Sequence, residues 1–414
     1  MILTSANLAH YLMARGLVTP ASVVDGDFAV VDMSRRNHNL QVTRGEAPGL
    51  FVKQVGDWDP LSAETLRREA ACYWLAGNDP DFAALAAMMP RYHLFDPARQ
   101  ALVLELVPDT ESLGEYHRRL NRFPPEIAAR LGTLLGTYHR EAGGQRRHLP
   151  EDAVFPRAVP WVLSIHFHNP SHFGPVSPGV RQLLGIVAQY PEFHAALDEL
   201  RGEWRQDALI HGDMKWDNCV MPRHDDPSEA AAGLKIVDWE LADIGDGCWD
   251  VGAVFQAYLA HWILTMRIPA EQVSPDHLPG LAEFPLDRMQ PAIDAFWSAY
   301  AGTRGAGEES DALLRRSVRY GAARMIQTAW EYLTYSPQLT ANALCLLQVS
   351  INVLTRPDDA IEHLLGIVTG KGTGDRGQGT GDSGMMIGIA NHPPISIGID
   401  VNRGSADLKS HASP

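Results

Sequence analysis

The sequence predicts an α+β protein with a small β-rich lobe toward its N-terminus and a larger helical lobe after it. Three β-rich runs fall within residues 22–56, whereas segments with helical periodicity dominate beyond residue 107. The chain has 414 residues, of which 45% are hydrophobic. A chain of this size and composition can bury a large core and divide into more than one lobe.

Residues 22–107 are assigned to the N-terminal lobe. Its β-rich runs are separated by polar, Gly or Pro breaks, and a helix and a buried strand follow them. The helix is predicted to be capped by Ser62 and to end at Gly77. In chain order the predicted elements are FAVVDM, NLQVTR, LFVKQV, SAETLRREAACYWLAG and ALVLELV.

The first 21 residues predict an amphipathic helix ahead of this lobe. Thr4 or Ser5 is its candidate cap, and Gly16 lies near its predicted end. The segment lacks the basic start and the long apolar run of a targeting peptide. No stretch of the chain is apolar enough to predict a membrane span.

Residues 108 to about 366 are assigned to the helical lobe. An irregular region rich in Pro, His and Gly begins near residue 143, and an insertion into the lobe is placed at about 143–207. The following segment predicts one or two helices, with Pro191 as a break. After the helical lobe, residues 367–414 are assigned to a tail, in which the Gly-rich run of residues 369–384 predicts a flexible linker. The predicted helices are PPEIAARLGTLLGTYHREAG, GVRQLLGIVAQYPEFHAALDELRGEW, VGAVFQAYLAHWILTM, RMQPAIDAFWSAYAG and DALLRRSVRYGAARMIQTAWEYL.

Charge and cysteine content narrow the classes of function. The net charge is −15 and no Lys/Arg block is present, which argues against a nucleic-acid partner. This acidity fits a cationic small substrate or simply solubility. The cysteines predict neither a zinc site nor a disulfide framework, and they are typical of a cytoplasmic protein. They are far apart in the sequence, at Cys72, Cys219, Cys248 and Cys345.

The stretch ALIHGDMKWDNCV, between two apolar runs, has the composition of a phosphoryl-transfer loop. Such a reaction needs a carboxylate near the acceptor hydroxyl and oxygen ligands for Mg²⁺. Asp213 is followed five residues later by Asn218, and IVDWE places Asp238 twenty residues beyond that. A hairpin between the two segments would bring Asp238 beside Asn218. The spacing matches that of a protein-kinase catalytic loop and its metal-binding aspartate.

The three motifs HGDMKWDN, IVDWE and GDGCWDVG, in this order, resemble the aminoglycoside phosphotransferase and choline kinase family of protein-kinase-like enzymes. The resemblance implies a bilobal kinase fold that uses ATP and Mg²⁺. It implies that Asp213 is the catalytic base or orients the hydroxyl, and that Asn218 and Asp238 bind Mg²⁺. His211 would support the loop. Asp250 would brace it, unless it is only a helix N-cap.

The resemblance also implies a nucleotide site in the N-terminal lobe. Lys53, on the third strand, would bind phosphate and pair with Glu69 on the next helix, with Glu64 as the alternative partner. The segment LVLELVPDTESL resembles the family hinge. The Glu105 carbonyl and the Val107 amide would contact adenine, and Leu104 would lie behind the base.

Three features depart from the kinase pattern. DMSRRNHNL stands where a Gly-rich loop is expected, so residues Ser34 to Asn37, including Arg35 and Arg36, either cover the phosphates or form a solvated turn. Lys215 either stabilises transition-state charge or is an exposed loop lysine. The interval from Asp238 to Asp250 is too short for a regulatory activation loop.

The segment SIHFHNPSHF contains three histidines, His166, His168 and His172. Its composition favours a place near the acceptor pocket over a metal site.

The sequence leaves three functions open. The first is an ATP-dependent phosphotransferase acting on the alcohol group of a cationic, aminoglycoside-like small molecule. The second is a kinase that phosphorylates Ser/Thr of a precursor peptide in lanthipeptide-type biosynthesis, with a partner protein, which Lys215 favours. The third is a non-catalytic, pseudokinase-like binding module, which the missing Gly-rich loop would allow.

Overall fold

The computed structural model describes residues 2–34, 37–56, 59–143, 154–167, 175–269, 275–305 and 307–368. These residues form an antiparallel five-stranded sheet followed by a larger, mostly helical region. The predicted α+β fold class with a small sheet lobe and a helical lobe is therefore confirmed. Arg35, Arg36, His168, His172 and the 369–414 part of the tail lie outside the described residues.

The N-terminal sheet has the strand order β1-β2-β3-β5-β4. Its first three strands and β5 coincide with the predicted β-rich runs, but β4 and helix α4 were not predicted. The elements of this lobe are α1 Leu8–Ala14, α2 Pro20–Val24, β1 Phe28–Asp32, β2 His38–Arg44, β3 Ala47–Gln54, α3 Pro60–Asn78, α4 Ala83–Met88, β4 Tyr92–Asp96 and β5 Ala101–Glu105, with a 3-10 turn at Pro80–Phe82.

The predicted N-terminal helix with Gly16 near its end is confirmed, but one helix does not account for all of residues 1–21. The chain forms α1 and α2 instead, and Gly16, with φ of +69°, ends the first of them. The N-cap of α1 is Asn7 rather than Thr4 or Ser5. Helix α1 covers the outer face of the sheet, where Leu8 and Leu12 join the apolar side chains of β2, β3 and β5 in one buried cluster.

Helix α3 begins at Pro60, earlier than predicted. Its N-cap is Asp59, whose Oδ1 accepts a hydrogen bond from the Ser62 amide at 3.1 Å, so the predicted Ser62 cap is wrong. The Asp-Pro pair explains the earlier start, because proline is favoured in the first turn of a helix. The helix ends at Asn78, one residue beyond Gly77. This placement turns Glu69 toward β3.

The helical lobe contains nine helices of six or more residues among those described, and α5 and α13 were not predicted. Pro191 separates α7 from α8, so the predicted break gives two helices. The helices are α5 Leu113–Leu120, α6 Pro125–Gly143, α7 Pro178–Gln189, α8 Pro191–Gly202, α9 Pro227–Ala232, α10 Cys248–Leu264, α11 Gln290–Arg304, α12 Ser310–Leu333 and α13 Ala341–Thr355, followed by α14 Pro357–Asp359 and a π-helical turn Ala360–Leu364. Shorter 3-10 segments are Trp161–Phe167, Trp216–Asn218, Trp239–Leu241, Pro275–Leu281, Leu286–Arg288 and Gly307–Glu309.

Two small sheets connect the helices near the lobe boundary. Strand β7 pairs with β10, and β8 lies between β6 and β9. The strands are β6 Thr110–Ser112, β7 Ala208–Ile210, β8 Cys219–Pro222, β9 Lys235–Ile236 and β10 Asp243–Gly245. The loop of the hairpin between β8 and β9 contains helix α9, which was not predicted. No helix among the described residues combines the length and hydropathy needed to cross a bilayer.

A close crossing of α10 and α12 forms the floor beneath the site. A Cβ on Gly252 would lie 2.7 Å from the Gly321 amide nitrogen, and a Cβ on Gly321 would lie 2.8 Å from the Gly252 carbonyl oxygen. Only glycine permits this approach of two helix backbones. Asp250 lies two residues before Gly252, and Arg324 lies three residues after Gly321, so the crossing fixes both side chains relative to each other.

Candidate active site

The loop after β7 is held by a fully buried carboxylate. Asp250, in the first turn of α10, accepts hydrogen bonds from the His211 amide at 2.7 Å and the Gly212 amide at 3.0 Å. The N-cap of α10 is Gly247, so the alternative that Asp250 serves as an N-cap is wrong. Gly212 has φ of +81°, and a Cβ there would collide with the Leu241 carbonyl oxygen.

His211 connects the loop to the end of β9. Its Nδ1 accepts a hydrogen bond from the Asp213 amide at 3.2 Å, which leaves Nε2 to donate to the Val237 carbonyl at 3.0 Å. The ring is completely buried and lies 4.6 Å from the Trp239 ring, centroid to centroid. The side chain is used entirely in holding two backbone segments together.

Asp213 lies between two cations. Its Oδ2 is 2.7 Å from the Lys215 ammonium, and its Oδ1 is 3.5 Å from the Arg324 guanidinium. Burial raises the pKa of Asp213, but the charges of Lys215 and Arg324 outweigh burial and leave the pKa below its usual value. The side chain is therefore a carboxylate at neutral pH.

Arg324, on α12, was missed by the sequence reasoning. It is 4% exposed, and it donates to the Gly212 carbonyl at 3.0 Å in addition to approaching Asp213. Its guanidinium lies 4.9 Å from the centre of the Trp249 ring, whose Nε1 donates to the same Gly212 carbonyl at 3.1 Å. Arg324 follows Asp213 by 111 residues, and no motif in the sequence connects them.

Lys53 joins the two lobes. Its ammonium lies 2.7 Å from Glu69, 2.7 Å from Asp238 and 3.4 Å from Glu240. The structure thus places Glu69, and not the alternative Glu64, beside Lys53. Burial raises the pKa of Glu69 to about 7, although the charge of Lys53 opposes that rise. Burial lowers the pKa of Lys53, and the three carboxylates more than reverse this effect.

Asn218 and Asp238 are brought together by the β8–β9 hairpin. The Val237 amide donates to the Asn218 carbonyl at 2.9 Å, and Cys219 pairs with Ile236. The side-chain Nδ2 of Asn218 donates a hydrogen bond to the Asp213 backbone carbonyl at 2.8 Å. This leaves the side-chain Oδ1 of Asn218 as the atom that can bind a metal. Asp238 has φ of +65°, an uncommon conformation for a residue other than glycine.

This donor set fits Mg²⁺. Asp238 supplies carboxylate oxygens and Asn218 supplies an amide oxygen, the hard ligands that this ion prefers, with phosphate and water completing its shell. Ligand oxygens of Asp238, Glu69 and Glu240 also lie within 4.8 Å of one another. Lys53 lies among these three carboxylates and neutralises part of their charge.

A cleft of about 410 Å³ runs from Asp238 to the chain segment between the lobes. Leu104, Glu105 and Val107 line its far end, and Lys53 lies near Asp238. The Glu105 amide donates to the Arg91 carbonyl at 2.9 Å, inside the lobe. Among the described residues the Val107 amide has no hydrogen-bond partner, so it is available to a ligand in the cleft.

The predicted insertion is only partly described. His166 hydrogen bonds to Asp198 at 3.1 Å and stacks on His194, with ring centroids 5.2 Å apart. In the same segment Trp161 contacts Trp330 of α12, edge to face, at 5.2 Å. Glu331, the next residue on α12, lies two helical turns from Arg324 on the same side of the helix.

Comparisons with known proteins gave structural matches alone. No protein-family model matches the chain, and no curated protein sequence matches it. A choline/ethanolamine kinase family protein from Mesorhizobium loti is 16% identical, with a TM-score of 0.46, covering 85% of this chain and 97% of that one. Choline kinase from Streptococcus pneumoniae is 13% identical, with a TM-score of 0.43, covering 83% and 99%.

A glucosamine kinase bound to glucosamine, ADP and inorganic phosphate is 15% identical, with a TM-score of 0.47, covering 86% of this chain and 84% of that one. The structures found also include aminoglycoside and macrolide phosphotransferases. The function proposed below rests on the geometry of this chain.

Proposed function

We propose that this protein is a phosphotransferase that moves the γ-phosphoryl group of ATP to an alcohol group. The observation that carries the proposal is that two distant sets of residues meet at the lobe boundary, where Asp238 lines the cleft and Asn218 connects it to Asp213. Lys53 and Glu69 come from the sheet lobe, and Asp213, Asn218 and Asp238 come from the helical lobe. Phosphoryl transfer needs this combination of a phosphate-binding cation, oxygen ligands for Mg²⁺ and a carboxylate near the acceptor.

In this proposal ATP lies along the cleft. The Glu105 carbonyl and the Val107 amide bind adenine, with Leu104 behind the ring, and Lys53 binds the phosphates. Glu69 keeps Lys53 aimed into the cleft, since it lies 2.7 Å from the ammonium and is itself buried. Asn218 and Asp238 would hold Mg²⁺, which would neutralise part of the phosphate charge.

Asp213 faces the acceptor hydroxyl. The hydroxyl oxygen bonds to the γ-phosphorus while the bond from that phosphorus to the β–γ bridging oxygen breaks, and ADP leaves. The hydroxyl proton passes to Asp213 as the new P–O bond forms. Lys215, 2.7 Å from Asp213 and 48% exposed, is placed to stabilise the charge on the transferring group.

A small-molecule alcohol is the proposed acceptor, and a cationic one fits the acidity of the chain, with its net charge of −15. Glu331 adds a carboxylate on the acceptor side, where its charge acts on both Lys215 and Arg324. The four cysteines are unpaired, which fits the proposed cytoplasmic location. The position of Lys215 keeps a peptide Ser/Thr acceptor as the second candidate, in which case a partner protein would present the peptide.

Phosphate transfer from labelled ATP tests the proposal against two pools, hydroxylated amines and Ser/Thr-rich peptides. We expect the label to appear in a small molecule of the first pool. The rate of this transfer should fall about 10²–10⁴-fold in Asp213→Asn, the usual contribution of a positioned proton acceptor. Labelled peptide with no labelled small molecule would select the second candidate. Calorimetry measures Mg²⁺-dependent ATP binding in the wild type and in Asp238→Ala. If the wild type shows no such binding, the proposed phosphotransferase activity is refuted and the non-catalytic binding module is the function that stays open.

A further inference from the structure

Strand β2 forms part of the roof of the cleft and presents polar side chains to it. Leu40 and Val42 point to the outer face of the sheet, where they are buried against α1. Asn39 and Gln41 alternate with them and line the cleft. Together with Asn37, just before the strand, these two amide side chains line the proposed nucleotide site, where the sequence has no Gly-rich loop.

The strand register assigns these two amides to different ends of the cleft. Gln41 pairs with Phe51, which pairs in turn with Leu104 behind the proposed adenine position. Asn39 pairs with Lys53. The two rungs are two residues apart, about 7 Å along the strand. Gln41 thus lies at the base end, and Asn39 lies at the phosphate end.

Asn39 has a polar atom without a partner. Its Oδ1 is buried and makes no hydrogen bond within the part of the chain that the structure describes. The backbone of the residue is fixed, because its amide donates to Ser34 Oγ at 3.2 Å and its carbonyl accepts from the Met33 amide at 2.8 Å. A buried polar atom that lacks a hydrogen bond destabilises the free protein, and a ligand that supplies the missing partner would account for its presence.

We propose that the Asn39 side chain binds the polyphosphate of the nucleotide. This inference rests on the proposed function, since it assumes that the cleft takes ATP. The two ends of an amide can exchange by rotation about the Cβ–Cγ bond, so Nδ2 can donate to a phosphate oxygen above Lys53. Asn39 thereby supplies, from a side chain, a donor of the kind that backbone amides of a Gly-rich loop give in other kinases.

Calorimetry on the full-length protein with two ligands tests this assignment: adenosine, and ADP with Mg²⁺. Asn39→Ala should weaken ADP binding about tenfold, which corresponds to about 1.4 kcal/mol, and leave adenosine binding unchanged. Asn39→Asp should weaken ADP binding further, because a carboxylate then faces phosphate. The matched variant Gln41→Ala should weaken adenosine and ADP by the same factor.

Thermal unfolding without ligand gives a second readout of opposite sign. Asn39→Ala removes an unpartnered buried oxygen, so its melting temperature should equal or exceed that of the wild type while its ADP affinity falls. A structural role for Asn39 predicts the reverse, a lower melting temperature with both ligands weakened equally, and that result would overturn the inference.

Two further outcomes separate this inference from the proposed function. If the wild type binds both ligands and Asn39→Ala binds ADP equally well, Asn39 makes no phosphate contact and only the inference fails. If the wild type binds neither adenosine nor Mg²⁺-ADP, the proposed function fails and the inference fails with it.

Discussion

Removal of the Asp250 carboxylate is the sharpest test of how the loop is held. In Asp250→Ala the backbone amides of His211 and Gly212 lose their acceptor, and His211 is fully buried while Gly212 is partly buried. Hydrogen bonds to a charged group contribute about 1.5–3 kcal/mol each, so the two together are worth about 3–6 kcal/mol. This is a large part of the 5–15 kcal/mol by which proteins are typically stable.

Asp250→Asn separates the charge from the volume. The amide keeps one acceptor oxygen, but its NH₂ group then faces a backbone N–H, so one hydrogen bond is lost. We expect a loss of about 2–4 kcal/mol, between that of the alanine variant and zero. Phosphotransferase activity should fall more steeply than stability in both variants, because the carboxylate positions the peptide that precedes Asp213.

Urea unfolding measures these losses, and Asp358→Ala is the matched control. Asp358 forms its ion pair with Arg315 at the surface, and both side chains are more than half exposed. An exposed pair of this kind contributes about 0–1 kcal/mol. A loss below 1 kcal/mol in Asp250→Ala, no larger than the control, would refute the argument that this buried carboxylate holds the loop.

The stability difference between the wild type and Asp250→Asn should depend on pH. Burial raises the pKa of Asp250, but its hydrogen bonds and the nearby histidines outweigh burial and leave the pKa below the usual 3.8. A carboxylate with a depressed pKa contributes stability above its unfolded pKa, and this contribution is lost as pH falls through the folded value. The stability difference between the wild type and Asp250→Asn should therefore be constant from about pH 5 to 8 and shrink below about pH 4.

Variants at three further positions, with one control, test other parts of the structure. Arg324→Met removes a charge that depresses the pKa of Asp213, so the acidic limb of the kcat/KM profile should move to higher pH, with Arg324→Lys intermediate; an unmoved limb would contradict this. Lys53→Met should weaken Mg²⁺-ATP binding by about tenfold or more and leave adenosine binding intact by calorimetry; equal weakening of both would refute the phosphate contact. Gly252→Ala should lower the free energy of urea unfolding by about 1–3 kcal/mol, because its Cβ meets the backbone of α12. The control Gly185→Ala should be neutral or stabilising, because a Cβ there has no atom within 4 Å. Equal effects of the two substitutions would argue against the close crossing.

Local patterns in the sequence were enough to predict the sheet lobe in outline. Alternation located β1, β2 and β3, and the apolar run located β5. Strand β4 was missed because YHLFD does not alternate: its first four side chains are all partly buried, and the buried residue at its end is Asp96. The cap of α3 was misplaced because Asp59 and Ser62 are both good caps, and the proline after Asp59 decides between them.

The long-range part of the site was beyond sequence reasoning for a physical reason. Motif spacing located Asp213, Asn218 and Asp238, because one loop and one hairpin bring them together. Arg324 reaches the same loop only because α10 and α12 cross closely at two glycines, 69 residues apart in sequence. No local propensity encodes such a crossing, since it depends on tertiary packing.

The charges around Asp213 limit its chemical role in the proposed reaction. Lys215 and Arg324 depress its pKa, so the carboxylate holds a proton less readily than a free aspartate does. An efficient general base needs a pKa nearer to the working pH. Asp213 is therefore better suited to orienting the acceptor hydroxyl and to taking its proton late, when the bond to phosphorus is well formed. That order agrees with the loose transition state of phosphoryl transfer, in which positioning and charge stabilisation dominate catalysis.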